Sequence, residues 1–206
     1  MPEEYSGACA LCGHEAPRAQ MARHLAVCAP EHDKGSRADR LVQLHIEADG
    51  APVYWLYVEG RETASLQQLD TLLRRVWLEC CGHMSAFRLG RAELSKRSPL
   101  GSLRVKGVAF QYEYDFGSTT ALQAKVLGYR EGSLGRNTVR VLARNTPLKL
   151  TCASCDAPAT VVCPFCIDSG PCLFCKTHAP KHPCAEEDVF MPTVNSPRMG
   201  VCGYTG

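Results

Sequence analysis

The sequence predicts an α+β protein: a central, mainly antiparallel sheet with one main helix, flanked at each end by a small cysteine-rich module. Three observations predict this architecture. Apolar and polar residues alternate through much of the middle of the chain, as in half-buried strands. One stretch there has helical periodicity instead. Four Cys-x-x-Cys pairs lie outside this middle region, one near the N-terminus and three near the C-terminus.

Composition sets the class of protein before any motif is considered. The chain has 206 residues, of which 45% are hydrophobic and 21% charged, as in soluble globular proteins. It has no apolar run near the roughly 18 residues that cross a bilayer. Its first twenty residues lack the basic and apolar segments of a signal peptide. We therefore expect a cytoplasmic protein with no membrane association.

Four regions separate by composition along the chain. An N-terminal cysteine–histidine cluster occupies residues 1–30, and a polar segment of mixed charge, typical of a linker, occupies residues 31–40. Residues 41–150 form the predicted α+β domain. Residues 151–206 are rich in cysteine and proline and end in a Gly-rich tail.

The first half of the middle domain predicts a hairpin followed by a helix. Alternation over 41–47 and a β-branched and aromatic run over 53–58 indicate two strands that turn at Asp49-Gly50. Apolar residues from Leu66 to Trp77 then recur at helical spacing, with Ser65 or Thr63 as the N-cap. Gly82 is placed to end this helix.

The second half predicts three further strands, over 110–116, 119–127 and 139–143. The first alternates strictly, with Phe110, Tyr112, Tyr114 and Phe116 on one face. We expect this aromatic stripe to be core. The alternative is a base-stacking platform on an open sheet. About five strands and one helix fit a sheet with one face covered.

The thirteen cysteines favour metal binding over disulfides. Histidines follow the Cys-x-x-Cys pairs at ligand spacing, and tight turns of this kind direct two thiolates at one ion. In the N-terminal region, Cys9 and Cys12 form such a turn. A helix from about Ala19 presents His24 and Cys28 four residues apart on one face. These four residues predict a zinc finger.

The C-terminal region offers nine candidate ligands for two tetrahedral sites. Paired ligands of this kind commonly interleave, which cross-links a segment too short to bury a core. The ninth candidate, His178, leaves a choice open, because it can replace His182 or Cys184. The interleaved assignment places Cys152, Cys155, Cys172 and Cys175 on one zinc, and Cys163, Cys166, His182 and Cys184 on the other. The spacing resembles cross-braced fingers of the B-box and AN1 type.

The sequence thus predicts three zinc ions, each at a closed site with no position for a water molecule, which argues against a catalytic zinc. Because zinc keeps its thiolates ionised, the formal charge of +2 becomes about −2 in the loaded protein. This is not the charge of an indiscriminate phosphate binder.

Three features outside the fingers leave alternatives open. Cys80, Cys81 and His83 could form a nucleophile pair or an additional metal site, but we expect small buried residues that close the helix. We likewise expect the Cys202 side chain to pack under the C-terminal module as a small apolar group. The alternative is that it replaces one of the disputed zinc ligands of that module. Residues 41–150 hold 15 Lys/Arg against 10 Asp/Glu. If nucleic acid binds, the footprint predicted for it includes Arg74, Arg75, Arg88, Arg91, Lys96 and Arg97.

The middle domain also resembles a known family. Residues 111–117, QYEYDFG, followed by Ser-Thr-Thr, resemble the signature of the plasmid open-reading-frame-three-like family, also called transposon-passenger TnpR-like. The stretches WLECCGHMSAF (77–87) and NSPRMGVCGYTG (195–206) resemble a zinc-finger-bearing branch of it. The resemblance implies an α+β domain found in bacteria and archaea near mobile elements. No recombinase constellation of nucleophile and arginines accompanies it.

These patterns together favour a zinc-binding, non-enzymatic interaction protein, possible partners being a protein or nucleic acid. One alternative is a sequence-tolerant nucleic-acid binder that uses the basic middle domain. Another is a Cys/His-dependent enzyme at Cys80, Cys81 and His83.

Overall fold

A computed structural model describes residues 5–35, 38–103, 105–187 and 189–206. It confirms the α+β class, with a large antiparallel sheet and two α-helices. The chain forms two compact units. Unit 1 comprises Met1–Val76 and Met84–Thr146, and unit 2 comprises Trp77–His83 and Pro147–Gly206.

Unit 1 is built on a nine-stranded sheet in the order β2-β1-β9-β4-β3-β8-β7-β5-β6. Every neighbouring pair is antiparallel. Its elements are β1 (Ser6–Cys9), β2 (Glu15–Pro17), α1 (Arg18–Glu31), β3 (Asp39–Ala48), β4 (Ala51–Arg61), α2 (Leu66–Leu73), β5 (Ser85–Leu89), β6 (Ala92–Leu94), β7 (Ala109–Tyr114), β8 (Thr120–Gly132) and β9 (Val139–Asn145).

Unit 2 contains little regular structure. Its three strands have two residues each: β10 (Val161–Val162), β11 (Leu173–Phe174) and β12 (Met191–Pro192), in the order β11-β10-β12. Short 3₁₀ turns cover Pro164–Cys166, Ala179–Lys181 and Pro183–Glu187. Of the six residues in these strands, only Val162 and Phe174 are buried, so other interactions must fix the unit.

The elements of the structure divide the chain differently from the predicted domains in three places. The N-terminal finger is part of unit 1, because β1 pairs with β9 and extends the sheet. The segment 31–40, predicted as a linker, includes the end of α1 and the start of β3. Residues 77–83, predicted to belong to the middle domain, group with unit 2. The Ser196 hydroxyl donates to the Trp77 carbonyl over 2.6 Å within that unit.

Local sequence explains the elements that were predicted. Gly50, with φ of 73°, makes the turn between β3 and β4. Ser65 caps α2 in a reciprocal pair with Gln68: its backbone N–H donates to the Gln68 Oε1 atom over 2.9 Å. The α-helix nevertheless ends at Leu73 and continues as a π-helical turn over Arg74–Leu78, well before Gly82.

The two helices lie on opposite faces of the sheet. Met21, Leu25 and Ala29 of α1 share an apolar cluster with Trp55 and Tyr57 of β4. Side chains alternate along strands, and the strand register places Tyr112 on the face opposite Trp55. On that second face, the Tyr112 hydroxyl donates to Asp70 Oδ1 of α2 over 2.8 Å.

A buried ion-pair network ties α1 to the sheet. The Glu59 carboxylate is fully buried and accepts hydrogen bonds from Arg130 and Arg140, each at 2.8 Å. Asp33, just beyond α1, accepts from Arg130 over 2.9 Å, and Arg140 donates to the His32 carbonyl at the helix end over 2.9 Å. The guanidinium of Arg130 lowers the pKa of Asp33, although burial opposes this shift.

Replacement of Glu59 by glutamine should therefore destabilise unit 1 by about 3–5 kcal/mol, because two partly buried guanidinium groups lose the fully buried carboxylate that they share and keep only Asp33 as a charge partner. The midpoint of chemical denaturation measures the effect. The control is Glu93→Gln, since Glu93 is exposed and lies 3.7 Å from Arg88. A surface pair of this kind contributes about 0–1 kcal/mol. Equal shifts of the denaturation midpoint in Glu59→Gln and Glu93→Gln would contradict a structural role for the network.

Candidate metal centres

Among the residues that the structure describes, four groups of cysteine and histidine side chains could each hold a metal ion. Each group has three cysteines and one histidine, whose ligand atoms all lie within 4.8 Å of one another. Site 1 is Cys9, Cys12, His24 and Cys28; site 2 is Cys152, Cys155, Cys175 and His178; site 3 is Cys163, Cys166, His182 and Cys184; and site 4 is Cys80, Cys81, His83 and Cys202.

The separations between ligand atoms match a tetrahedral shell. With Zn–S near 2.3 Å and Zn–N near 2.0 Å, a tetrahedron has edges of roughly 3.8 Å between sulfurs and roughly 3.5 Å between sulfur and nitrogen. The close sulfur pairs span 3.8 to 4.0 Å. The close sulfur–nitrogen pairs span 3.1 to 3.6 Å. All thirteen cysteines are free, and a disulfide needs sulfurs only about 2.05 Å apart.

Site 1 is built where the β1–β2 hairpin meets α1. The hairpin closes with a hydrogen bond from the Cys9 backbone N–H to the His14 carbonyl, over 2.9 Å. α1 contributes His24 and Cys28 from successive turns, as the spacing predicts. The His14 ring stacks on the His24 ring at 4.4 Å and covers one side of the ligand.

Within site 1, the Cys28 thiol resists ionisation when no cation is bound. Burial and the neighbouring thiols of Cys12 and Cys9 raise the pKa of Cys28 to about 12. A divalent ion reverses this balance, because it stabilises every coordinating thiolate. Behind the site, the His32 Nδ1 atom donates to the Cys28 carbonyl over 2.9 Å and fixes the last turn of α1.

Site 2 pairs the Cys152–Cys155 turn with Cys175 and His178. The Ser154 backbone N–H points at the Cys152 sulfur over 3.5 Å, and the His178 Nδ1 atom lies 3.6 Å from the same sulfur. Although burial opposes it, hydrogen bonds from backbone N–H groups and from His178 lower the pKa of Cys152 to about 6. A thiol of this kind is poised to bind a metal as thiolate.

Cys172, which sequence analysis assigns to this ion, is not in site 2 or in any of the other three groups. His178 stands in its place. The reason is local: the two-residue strand β11 separates Cys172 from Cys175, and residues three apart in extended chain face opposite sides. The Cys172 carbonyl instead accepts a hydrogen bond from the Cys163 backbone N–H over 2.7 Å.

Site 3 joins the turn of Cys163 and Cys166 to His182 and Cys184, the four residues that sequence analysis assigns together. The His182 Nε2 atom lies 3.3 Å from the Cys166 sulfur. The Phe174 ring packs at 4.5 Å from the His182 ring and orients it. The ligand pairs of sites 2 and 3 alternate along the chain. A metal ion at either site would therefore close a loop of chain that contains one ligand pair of the other site.

Site 4 gathers residues for which the sequence predicts burial, with an additional metal site as one alternative for Cys80, Cys81 and His83. Cys81 and Cys202 are exposed, whereas Cys80 and His83 are half-buried. The expectation failed because the chain leaves the π-helical turn in an open loop, so these residues do not close a helix. The cluster joins residues about 120 positions apart, and no local spacing could have linked Cys202 to the other three.

The features that could serve nucleic-acid binding are largely used within the fold. Phe110, Tyr112 and Tyr114 are buried, as expected of core, and only Phe116 is exposed, because the chain turns at Asp115, whose φ is 64°. Three residues of the predicted basic footprint form ion pairs: Arg74 and Lys96 with Asp70, and Arg88 with Glu113.

Comparisons with known proteins add little to this picture. No protein-family model matches the chain, and no curated protein matches it. Among solved structures, a protein of unknown function from Methanosarcina mazei Go1 is similar at a TM-score of 0.45 and 14% identity, over 52% of this chain and 69% of that one. The resemblance to the plasmid open-reading-frame-three-like family therefore stays a prediction.

Within the described residues, every helix is too short or too polar to cross a membrane.

Proposed function

We propose that this protein is a zinc-binding, non-enzymatic interaction protein, in which zinc at sites 1, 2 and 3 fixes surfaces that a protein partner contacts. The observation that carries the proposal is the closed ligand set: each site supplies three thiols and one imidazole at tetrahedral separations. Four protein ligands leave no position for water or substrate, whereas a catalytic zinc keeps one open.

The structure of unit 2 supports a structural role for the metal. One buried cluster of unit 2 comprises Cys152, Cys163, Cys175, Phe174 and Ala179, so most of its members are ligands. Apolar packing in a cluster built mainly from thiols contributes little against the entropy of ordering about 60 residues. Structural zinc contributes about 10–16 kcal/mol per ion in small domains. We therefore expect the free energy of zinc binding to contribute to the folding of unit 2.

The electrostatics of site 4 argue against the Cys/His-dependent enzyme. Cys81 lies 3.1 Å from the His83 Nε2 atom, as a nucleophile pair would. However, the hydrogen bond with Cys202, together with burial, raises the pKa of the Cys81 thiol to about 11. A cysteine nucleophile requires the opposite shift.

Charge favours a protein partner over nucleic acid. Residues 147–206 contain four Lys/Arg and five Asp/Glu, and each loaded site of three thiolates adds a net charge of −1. Nucleic-acid binding depends on a positive surface that displaces counterions. An association with mobile elements rests on the family resemblance alone.

Site 3 also presents a contact residue of the kind found at protein interfaces. Phe165 lies in the turn between Cys163 and Cys166, and its side chain is 60% exposed. Zinc at site 3 would hold this ring rigidly at the tip of the turn. Aromatic residues are enriched at the centres of protein interfaces.

Native mass spectrometry of the zinc-loaded, reduced protein tests the proposal. We expect at least three zinc ions per chain, and chelation with excess EDTA should unfold unit 2, seen as loss of near-ultraviolet circular dichroism. The same protein should not be retained on mixed-sequence DNA or RNA at low salt. Fewer than three zinc ions, a chelated protein that keeps its fold, or salt-sensitive retention on nucleic acid would each contradict it.

A further inference from the structure

Site 4 has the same donor set and ligand separations as the three closed sites, but not their burial. The His83 Nε2 atom lies 3.1 Å from the sulfurs of both Cys81 and Cys202. Those two sulfurs are 3.8 Å apart, and Cys80 lies 3.9 Å from Cys81. Sites 1, 2 and 3 each contain at least one buried cysteine, and site 4 contains none.

The backbone on both sides of site 4 is bent in a way that brings the ligands together. Gly82 has φ of 83°, and its N–H donates to the Glu79 carboxylate over 2.6 Å. In the tail, Cys202 itself has φ of 51°. A side-chain-bearing residue is uncommon in this left-handed region, and such strain clusters at functional sites.

Contacts other than the ligands already hold the tail near residues 77–83. The Ser196 hydroxyl donates to the Trp77 carbonyl and accepts from the Arg198 backbone N–H over 2.9 Å. Tyr204, beyond Cys202, is buried. Cys202 is therefore presented to the loop of Cys80, Cys81 and His83 before any metal binds, which lowers the entropy cost of closing the site.

We propose that site 4 is a fourth zinc site, solvent-accessible and exchangeable, whose metal clips the C-terminal tail to residues 77–83. This inference goes beyond the structural role proposed for sites 1, 2 and 3. Solvent and competing ligands reach a metal at a rate set by the shell around it. With Cys81 and Cys202 exposed, zinc at site 4 leaves to a chelator before zinc at the three sites that contain buried thiols.

Native mass spectrometry of zinc-loaded, reduced protein counts the ions directly. We expect four per chain in the unaltered protein and three in both Cys202→Ser and His83→Ala. The matched control is Cys172→Ser, which removes a cysteine of unit 2 that lies outside all four groups and should keep four. With a colorimetric chelator, one equivalent should be released in a fast phase that the first two variants lack.

Hydrogen exchange supplies a second measurement that does not depend on counting metal. Residues 199–206 should lose protection in Cys202→Ser and His83→Ala, while the segments around sites 2 and 3 keep theirs. The proposal of a fourth site would be overturned by a count of three ions in the unaltered protein. It would also be overturned by a count of four in both Cys202→Ser and His83→Ala. Loss of the fast chelator phase in Cys172→Ser as well would overturn it too, since that phase would then follow general damage to unit 2 and not site 4. Fewer than three ions in the unaltered protein would instead contradict the proposed function.

Discussion

Replacement of His178 by alanine is expected to release at least the zinc ion of site 2 and to unfold unit 2, whereas replacement of Cys172 by serine should leave the metal count unchanged. His178 lies 3.6 Å from the Cys152 sulfur and 3.4 Å from the Cys175 sulfur, so it completes site 2. Because the ligand pairs of sites 2 and 3 alternate along the chain, loss of the ion from site 2 also leaves the segment that carries ligands of site 3 less constrained. The free energy of unfolding of unit 2 should fall by on the order of 10 kcal/mol, which is the contribution of one structural zinc ion.

Thermal unfolding and native mass spectrometry, measured on both variants, decide between the two ligand assignments. Cys172→Ser is the matched control, because it alters a half-buried cysteine of the same unit without removing a ligand of site 2. If Cys172→Ser released an ion and His178→Ala retained it, site 2 would hold the four cysteines that the spacing alone suggests. The geometry of β11 argues against that result.

Replacement of Cys28 by serine is expected to release zinc from site 1 and to detach the N-terminal hairpin and α1 from the sheet. Cys28 is buried beside Cys9 and packs in one cluster with Leu25 and Trp55. Without metal, the buried polar ligands have no charge partner. The hairpin and α1 are then held only by the pairing of β1 with β9, by the apolar cluster and by the ion pairs at Asp33. The remaining strands, β3 to β9, bury their own core and should stay folded.

Hydrogen exchange localises this effect. Amides of β1, β2 and α1 should lose most of their protection in Cys28→Ser, while β3, β4 and β8 keep theirs. Val27→Ser is the control, since Val27 is adjacent and 65% exposed, and it should retain both zinc and protection. Equal protection in Cys28→Ser and the unaltered protein would mean that apolar packing alone holds the finger.

Periodicity was sufficient to predict most of the sheet and the main helix, because both depend on local patterns of buried residues. It did not reveal the full sheet. β1 joins β9 through backbone hydrogen bonds, which carry no side-chain signature. The edge hairpin of β5 and β6 also escaped prediction. Its alternation is short, and Leu89 is exposed.

The candidate sites were predictable only where ligands lie close in sequence. Site 1 and site 3 follow from spacing, since turns and one helix set the distances between their ligands. Site 2 depends on whether the chain between Cys172 and Cys175 is a turn or a strand, which spacing does not specify. Site 4 needs a tertiary contact between residues 77–83 and Cys202, and that contact depends on tail packing at Ser196.

X-ray absorption spectroscopy at the zinc edge, on the fully loaded and reduced protein, tests the central claim most directly. That claim is that zinc in this chain lies in closed sites of three thiolates and one imidazole. We predict an average shell of about three sulfurs near 2.3 Å and one nitrogen near 2.0 Å, with no fifth ligand. An average of two sulfurs or fewer per zinc, or a shell of five ligands, would contradict it.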